Sequence, residues 1–207
     1  MCKLDENAER GVLLVFSGPS GAGKGTALNI ALDKNTNLRP SVSCTTRAPR
    51  PGEIEGEAYY FKTVQQFKDM VVAGEFLEYK EVYGNYYGTP KKQVFDMLNE
   101  GYDVVLEIDV QGAFEVKKNV PDSVLVFFTP GSHAETERRL RGRGTEPDDI
   151  IKKRLDKAKG EIKQAKNYNY IIVSTTPEQS AEKFLTIIGA ERQRALRQLK
   201  AIQKYSD

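Results

Sequence analysis

Two short stretches of this 207-residue chain hold the residue types that could do chemistry. The first is Gly18-Pro-Ser-Gly-Ala-Gly23-Lys24, with the G-x-x-x-x-G-K spacing of a phosphate-binding loop. Glycines there let backbone N–H groups converge on phosphate oxygens, and a following helix adds the positive end of its dipole. Lys24 is placed to reach the β- and γ-phosphates of a nucleotide. The candidate contacts are Gly18, Pro19, Ser20, Gly21, Ala22, Gly23, Lys24, Gly25 and Thr26. The hydroxyl residue that usually follows the lysine is missing: Gly25 stands there, and Thr26 comes next. A plain glycine-rich turn is the competing account, and the apolar run just ahead of the loop counts against it. The second stretch, 41–53, sets Arg47 and Arg50 three residues apart between prolines. Guanidinium groups grip oxyanions bidentately, so the pair suits a second phosphate. Tyrosines in 56–61 and 84–89 add hydroxyl donors. On composition alone, a surface loop with scattered arginines fits this stretch equally well.

Several elements must position these residues. Segment 12–16 is a short, continuous apolar run, the pattern of a strand buried on both faces. Segments 104–109 (apolar but for Glu107 and Asp109), 124–128 and 170–173 look like strands of the same kind. Helical segments separate them, which predicts a parallel sheet wrapped by crossovers. The phosphate loop falls between the first strand and a helix near 26–32. Ser132 with Glu135, and Thr176-Pro177 with Gln179, have capping-box spacing. Thr89-Pro90 opens another helix, closed by Gly101, with Thr89 expected as its N-cap. Segment 41–88 is rich in Thr, Tyr, Gly and Pro, with a single helix near 64–73 ended by Gly74. It predicts a small, mostly β insertion. Segment 134–160 is helical and dense in arginine, with Gly142 and Gly144 as pivots. In 178–205, Ala181, Phe184, Leu185, Ile188, Ala195, Leu199 and Ile202 recur at helical spacing. The basic residues Arg192, Arg194, Arg197, Lys200 and Lys204 on that stretch suggest a solvated face rather than a site for an anionic partner.

Composition narrows the classes. The chain is 39% hydrophobic and 29% charged, enough apolar matter for a core and unlike a disordered tail. No apolar run approaches ~18 residues, so no membrane span is expected. The first eleven residues carry charges and no stretch suited to a signal peptide, which predicts a soluble, cytoplasmic protein. Cys2 and Cys44 build neither a disulfide framework nor a zinc site, and the single histidine, His133, makes no metal cluster. Lys and Arg number 31 against 29 acids, so no global field attracts nucleic acid.

Five segments in order resemble the guanylate kinase family. They are Gly18-Pro-Ser-Gly-Ala-Gly-Lys24, the arginine stretch 41–53, Gly84-Asn-Tyr-Tyr-Gly88, Glu107-Ile-Asp-Val-Gln-Gly112 and Arg139-Leu-Arg-Gly-Arg-Gly-Thr145. The likeness spans about 11–192. It implies an α/β fold: a P-loop core with a five-stranded parallel sheet and helices on both faces (about 11–41, 93–133 and 165–207). A GMP-binding insertion (about 42–92) and a helical lid (about 134–164) are implied beside it. The implied reaction is ATP-dependent phosphorylation of GMP, and of dGMP. Arg47, Arg50, Tyr59 and Tyr87 would hold the GMP phosphate; Ser43, Glu78, Thr89 and Asp109 would line the guanine pocket. Lys24, Arg47, Arg139, Arg143 and Arg154 would supply catalytic charge, with Arg143 also on ATP. Mg2+ would accompany ATP, held by its phosphates and water with no direct protein ligand. The family pattern is left at Gly25, at Glu107 where aspartate is usual, and at Ser174-Thr175 where Asn-Asp is common. The alternatives are a non-catalytic interaction module of this fold and a P-loop kinase for another nucleoside monophosphate. No nucleic-acid or membrane partner is expected, and the chain would work as a monomer or homodimer.

Overall fold

The computed structural model describes residues 4, 10–19, 21–142 and 147–203, with backbone only at 200–203. Its first half runs β1 (Leu13–Ser17), α1 (Lys24–Lys34), β2 (Leu38–Pro40), β3 (Cys44–Thr45), β4 (Tyr60–Phe61), α2 (Val64–Val72), β5 (Phe76–Val82) and β6 (Asn85–Pro90). Then come α3 (Lys91–Asn99), β7 (Asp103–Glu107), α4 (Val110–Asn119), β8 (Val124–Thr129) and α5 (His133–Arg141). The chain closes with α6 (Asp148–Ile162), a 3-10 turn at Ala165–Asn167, β9 (Tyr170–Val173), α7 (Pro177–Arg192) and α8 (Ala195–Gln203).

The apolar runs pair as one parallel sheet in the order β2-β7-β1-β8-β9. Its central strand β1 is buried throughout and splits its side chains by alternation. Leu14 and Phe16 join the layer under α1 and α7, while Leu13 and Val15 join the layer under α3 and α4. Phe16 lies between Phe128 (ring centroids 5.1 Å, edge-on) and Phe184 (4.7 Å). A buried phenylalanine of this kind contributes up to about 3 kcal/mol. Asp103 is a buried carboxylate that stays satisfied: its Oδ1 accepts from Val12 N (2.8 Å) and its Oδ2 from Arg192 Nε (2.8 Å). That pair ties the end of α7 to the start of β7.

A second, four-stranded sheet of order β4-β3-β6-β5 forms the insertion, antiparallel except for the β3–β4 pair. Helix α2 covers it through Phe67, stacked on Phe76 (4.5 Å) and Tyr86 (5.4 Å). Thr63 and Gln66 complete a capping box at the start of α2. The insertion joins the core where β5 packs on α4 and Asn119 Nδ2 donates to Leu77 O (2.7 Å). Helices α5 and α6 share a small core of Leu140, Ile151 and Leu155.

Three expectations change. Strand β2 was not legible in the residues, being three residues long with a proline, which an edge strand tolerates. Thr89 does not cap α3: it lies buried in β6, Pro90 is the N-cap, and its hydroxyl goes to Glu78. The C-terminal stretch is two helices, because Gln193 N turns back to Ala190 O and Gln198 Nε2 takes the Arg192 carbonyl. The three arginines there are paired, Arg192 with Asp103, Arg194 with Glu191 and Arg197 with Asp122, while the side chain of Lys200 lies outside the described residues. Gly142 is the C-cap of α5, while Gly144, Lys204 and Cys2 lie outside the described residues.

Candidate active site

The phosphate loop begins where β1 ends. A Cβ on Gly18 would stand 2.0 Å from Phe128 O, so the chain passes β8 there only as glycine. Gly23, at φ 90°, is the N-cap of α1, and no side chain caps that helix. Its first N–H groups are thereby available to a phosphate. Lys24 Nζ arches back over the loop, donating to Gly18 O (2.7 Å) and Pro19 O (3.1 Å). A Cβ on Gly25 would make ordinary contact with the Glu107 carboxylate at 3.8 Å. Partial burial pushes Glu107 above the ordinary carboxylate range, with Lys24 pulling the other way. Ser20 lies outside the described residues.

Helix α5 rests on this loop. Arg139 Nη1 donates to Ala22 O (2.7 Å) and to Ser174 Oγ (3.1 Å), and its Nε donates to Glu135 Oε1 (2.7 Å). Ser174, a departure from the family pattern, thus helps hold a candidate catalytic arginine. Leu140 fills the space beside Gly21, where a Cβ would come within 2.6 Å of it. Arg154 is half-buried on α6, outside the lining of the cleft described next. Arg143 lies outside the described residues.

A cleft of about 590 Å³ opens between the loop, the end of β7, the insertion and α6. Gly18 and Lys24 form one wall; Ser43, Tyr59, Glu78 and Tyr87 form the opposite one, with Asp109 between them. Glu78 is 6% exposed and accepts the Thr89 hydroxyl at 2.6 Å. Burial raises its pKa despite Thr89 and Lys80. Gly112 leaves room for that carboxylate, since a Cβ there would stand 2.9 Å from its Oε2. Asp109 caps α4 by accepting from Gly112 N (3.0 Å), and its other oxygen pairs with Lys80. Burial pushes Asp109 up, but the Gly112 N–H and the Lys80 ammonium outweigh it and hold the carboxyl below its usual value.

The arginine pair is partly engaged. Arg47 Nη2 donates to both oxygens of Glu53 (2.8 and 2.9 Å), and Glu53 also accepts from Arg50 N (2.8 Å). A carboxylate there makes the contacts a phosphate would make. Arg47 lies 5.5 Å from the Tyr59 ring, which meets Tyr87 edge-on at 6.0 Å. The Arg50 side chain is exposed and outside the cleft lining.

Four side chains at the site have no role legible in the sequence: Glu53, Lys80, Lys157 and Glu161. The last three line the cleft. Period-two counting from Glu78 along β5 reaches Lys80, and helical counting from Arg154 along α6 reaches Lys157 and Glu161. Nothing in the local pattern marks Glu53 as a guanidinium partner.

The guanylate kinase family model matches residues 10–191. This chain belongs to the guanylate kinase family. A guanylate kinase of Lactococcus lactis is 50% identical over 197 residues, covering 95% of each chain. One of Clostridium tetani is 47% identical over 184 residues, covering 89% of this chain and 88% of that one. The crystal structure of a guanylate kinase from Anaplasma phagocytophilum aligns with a TM-score of 0.73 at 36% identity, covering 91% of this chain and 90% of that one. Guanylate kinases are nucleoside monophosphate kinases, so membership favours catalysis over the interaction-module reading. The five-stranded parallel sheet, the second small sheet and the helical pair over the P-loop are the architecture that the resemblance implied.

Proposed function

We propose that this cleft transfers the γ-phosphoryl group of ATP to the phosphate of GMP, or of dGMP, giving ADP and GDP or dGDP. The observation that carries the residue assignments is the buried Glu78, braced by Thr89 and facing the same cleft as Lys24. Guanine offers N1–H and N2–H2 donors beside an O6 acceptor. Ionised Glu78 accepts from the donors, Asp109 supplies a second acceptor, and the Ser43 hydroxyl donates to O6. Adenine would leave the buried carboxylate facing a lone pair at N1. Arg47, Arg50, Tyr59 and Tyr87 take the GMP phosphate, with Glu53 yielding Arg47 to it. The P-loop residues 18–26 take the ATP phosphates, Lys24 leaving its loop carbonyls to do so.

The acceptor is already an anion, so the reaction needs no strong base. A phosphate oxygen of GMP attacks the γ-phosphorus in line while the bond to the β-phosphate oxygen breaks. The difficulty is bringing two anions together without water. Lys24, Arg47, Arg139, Arg143 and Arg154 neutralise that charge. Gly25 brings no side-chain oxygen, and the nearby carboxylates offer hard oxygens to the waters of a hydrated ion, so the site suits Mg2+ held by ATP and water. When bound, the ion spreads the charge of the transferring group. The chain acts in the cytoplasm on free nucleotides, as a monomer or homodimer.

A panel of GMP, dGMP, AMP, UMP and CMP with ATP, read by ADP release, tests this. GMP and dGMP are expected as substrates, with AMP lower in kcat/KM by ~10⁴-fold, the scale at which hydrogen-bonding sites reject mismatched analogues. Comparable use of AMP or UMP overturns it.

A further inference from the structure

Strand β5 presents Glu78, Lys80 and Val82 to the cleft by alternation, while Tyr79 and Glu81 face out. Lys80 therefore projects from the insertion across the cleft, and its ammonium meets Asp109 at the N-terminus of α4 in the core. The other Asp109 oxygen is taken by Gly112 N, the residue whose missing Cβ leaves room for Glu78. Lysine, aspartate, glycine and glutamate thus form one contiguous arrangement spanning both parts of the molecule.

We infer that Lys80 is a positioning residue of the purine subsite, holding the Asp109 carboxylate in place and offsetting its charge beside Glu78. The inference rests on the assignment of Glu78 and Asp109 to guanine above. Two carboxylates aimed at one neutral base repel each other, and Glu78 is almost fully buried. A cation bound to the second carboxylate lets both remain acceptors. Glu78 feels Lys80 in the favourable sense and Asp109 and Glu115 of α4 in the unfavourable one, with Thr89 of β6 donating. Lys157 and Glu161 of α6, Glu107 of β7 and Lys24 of α1 complete the charged groups lining the cleft. Lys157 is the other cation acting on Asp109, and it pairs with Glu161 on its own helix.

The test compares wild type, Lys80→Met, Lys80→Arg and Glu78→Gln in steady-state kinetics with GMP and ATP from acid to neutral pH. Lys80→Met is expected to raise KM for GMP about tenfold, the scale of a lost hydrogen bond to a charged group. Its kcat should hold within about twofold, with KM for ATP unchanged. The acid limb of its kcat/KM for GMP should move to higher pH, because Glu78 then keeps its carboxylate neighbours and loses their counter-charge. The ionisation of the GMP phosphate is common to all variants and cancels. Lys80→Arg should restore both features. Lys80→Gln provides the same comparison if the methionine variant does not fold. A folded variant with unchanged GMP KM and acid limb overturns the inference. So does one that only lowers Tm, which would make the pair a strap between insertion and core. If Glu78→Gln uses GMP normally, the guanine assignment itself fails. A damaging Glu78→Gln beside a silent Lys80→Met removes the role of Lys80 alone.

Discussion

Lys24 makes its two described hydrogen bonds to carbonyls of its own loop, so its ammonium is held over the place where phosphates would lie. Replacing it with methionine keeps most of the stem and removes the charge. Lys24→Met is expected to lower kcat by at least ~10²-fold, as for one lost preorganised electrostatic contact, with a circular-dichroism melt close to wild type. Near-normal turnover in the folded variant would remove the loop's catalytic assignment. Glu78 yields a prediction in pH. Burial raises its pKa in the folded protein, so it takes up a proton at higher pH than an ordinary carboxylate. With Glu78 as the proposed acceptor for guanine, GMP binding needs its ionised form, so KM for GMP should climb as pH falls through that raised value while KM for ATP stays flat. The stability sign is opposite to that of a salt-bridged acid: a raised carboxyl pKa costs stability as pH rises above the unfolded value. Glu78→Gln should therefore hold or raise Tm at neutral pH while kcat/KM for GMP collapses. A variant that melts far lower would show that the carboxylate is needed for folding.

At the scale of elements, α5 does two jobs through adjacent residues. Arg139 hydrogen-bonds the P-loop at Ala22 O, and Leu140 fills the space beside Gly21 while packing with Ile151 and Leu155. Leu140→Ala is expected to cost about 2–5 kcal/mol, the range for a buried leucine truncation, and to raise KM for ATP as the loop loses its support. Thr63→Ala is the control. It removes the N-cap of α2, at about 1 kcal/mol, far from the ATP side, and should leave KM for ATP alone. Equal effects of the two variants on KM for ATP would separate Leu140 from the loop. Glu135 holds both Arg138 and Arg139, and their hydrogen bonds pull its carboxyl down to about 2. Its contribution to α5 is complete above the ordinary carboxylate range and is lost only as pH falls toward that lowered value.

For the whole molecule, the cleft has walls from three parts: the core, the insertion and α6. The insertion meets the core chiefly where β5 lies on α4, and α5 meets it at the P-loop. Such narrow joints permit rigid movement about them, and water exclusion during phosphoryl transfer requires closure. The solution-scattering radius is expected to shrink when GMP and a non-hydrolysable ATP analogue bind together, and less with either alone. An unchanged radius with both present contradicts closure.

Much of this protein was determined by local sequence. Apolar runs mark the strands of a parallel sheet, so 12–16, 104–109, 124–128 and 170–173 were readable as strands. Only β1 and β8 are buried throughout, however: β9 is an edge strand with Ile171 and Val173 about half exposed. A loop suited to phosphate needs glycines at fixed spacing, so the glycine-rich turn between β1 and α1 was readable without a structure. Capping chemistry is equally local: Ser132 and Thr176 cap α5 and α7 as their spacing predicts. What the tertiary structure decided lies wherever a residue's partner is distant or its local signal has two meanings. Thr89-Pro90 reads as a helix start, yet the pairing of β6 with β5 turns Thr89 toward Glu78, and a buried carboxylate outbids a helix cap for one hydroxyl. Strand β2 is too short to announce itself and exists because β7 offers an edge. Lys80 looks like any exposed strand lysine until α4 brings Asp109 across the cleft. Electrostatic partners have no period, and only the packing of insertion against core sets them face to face.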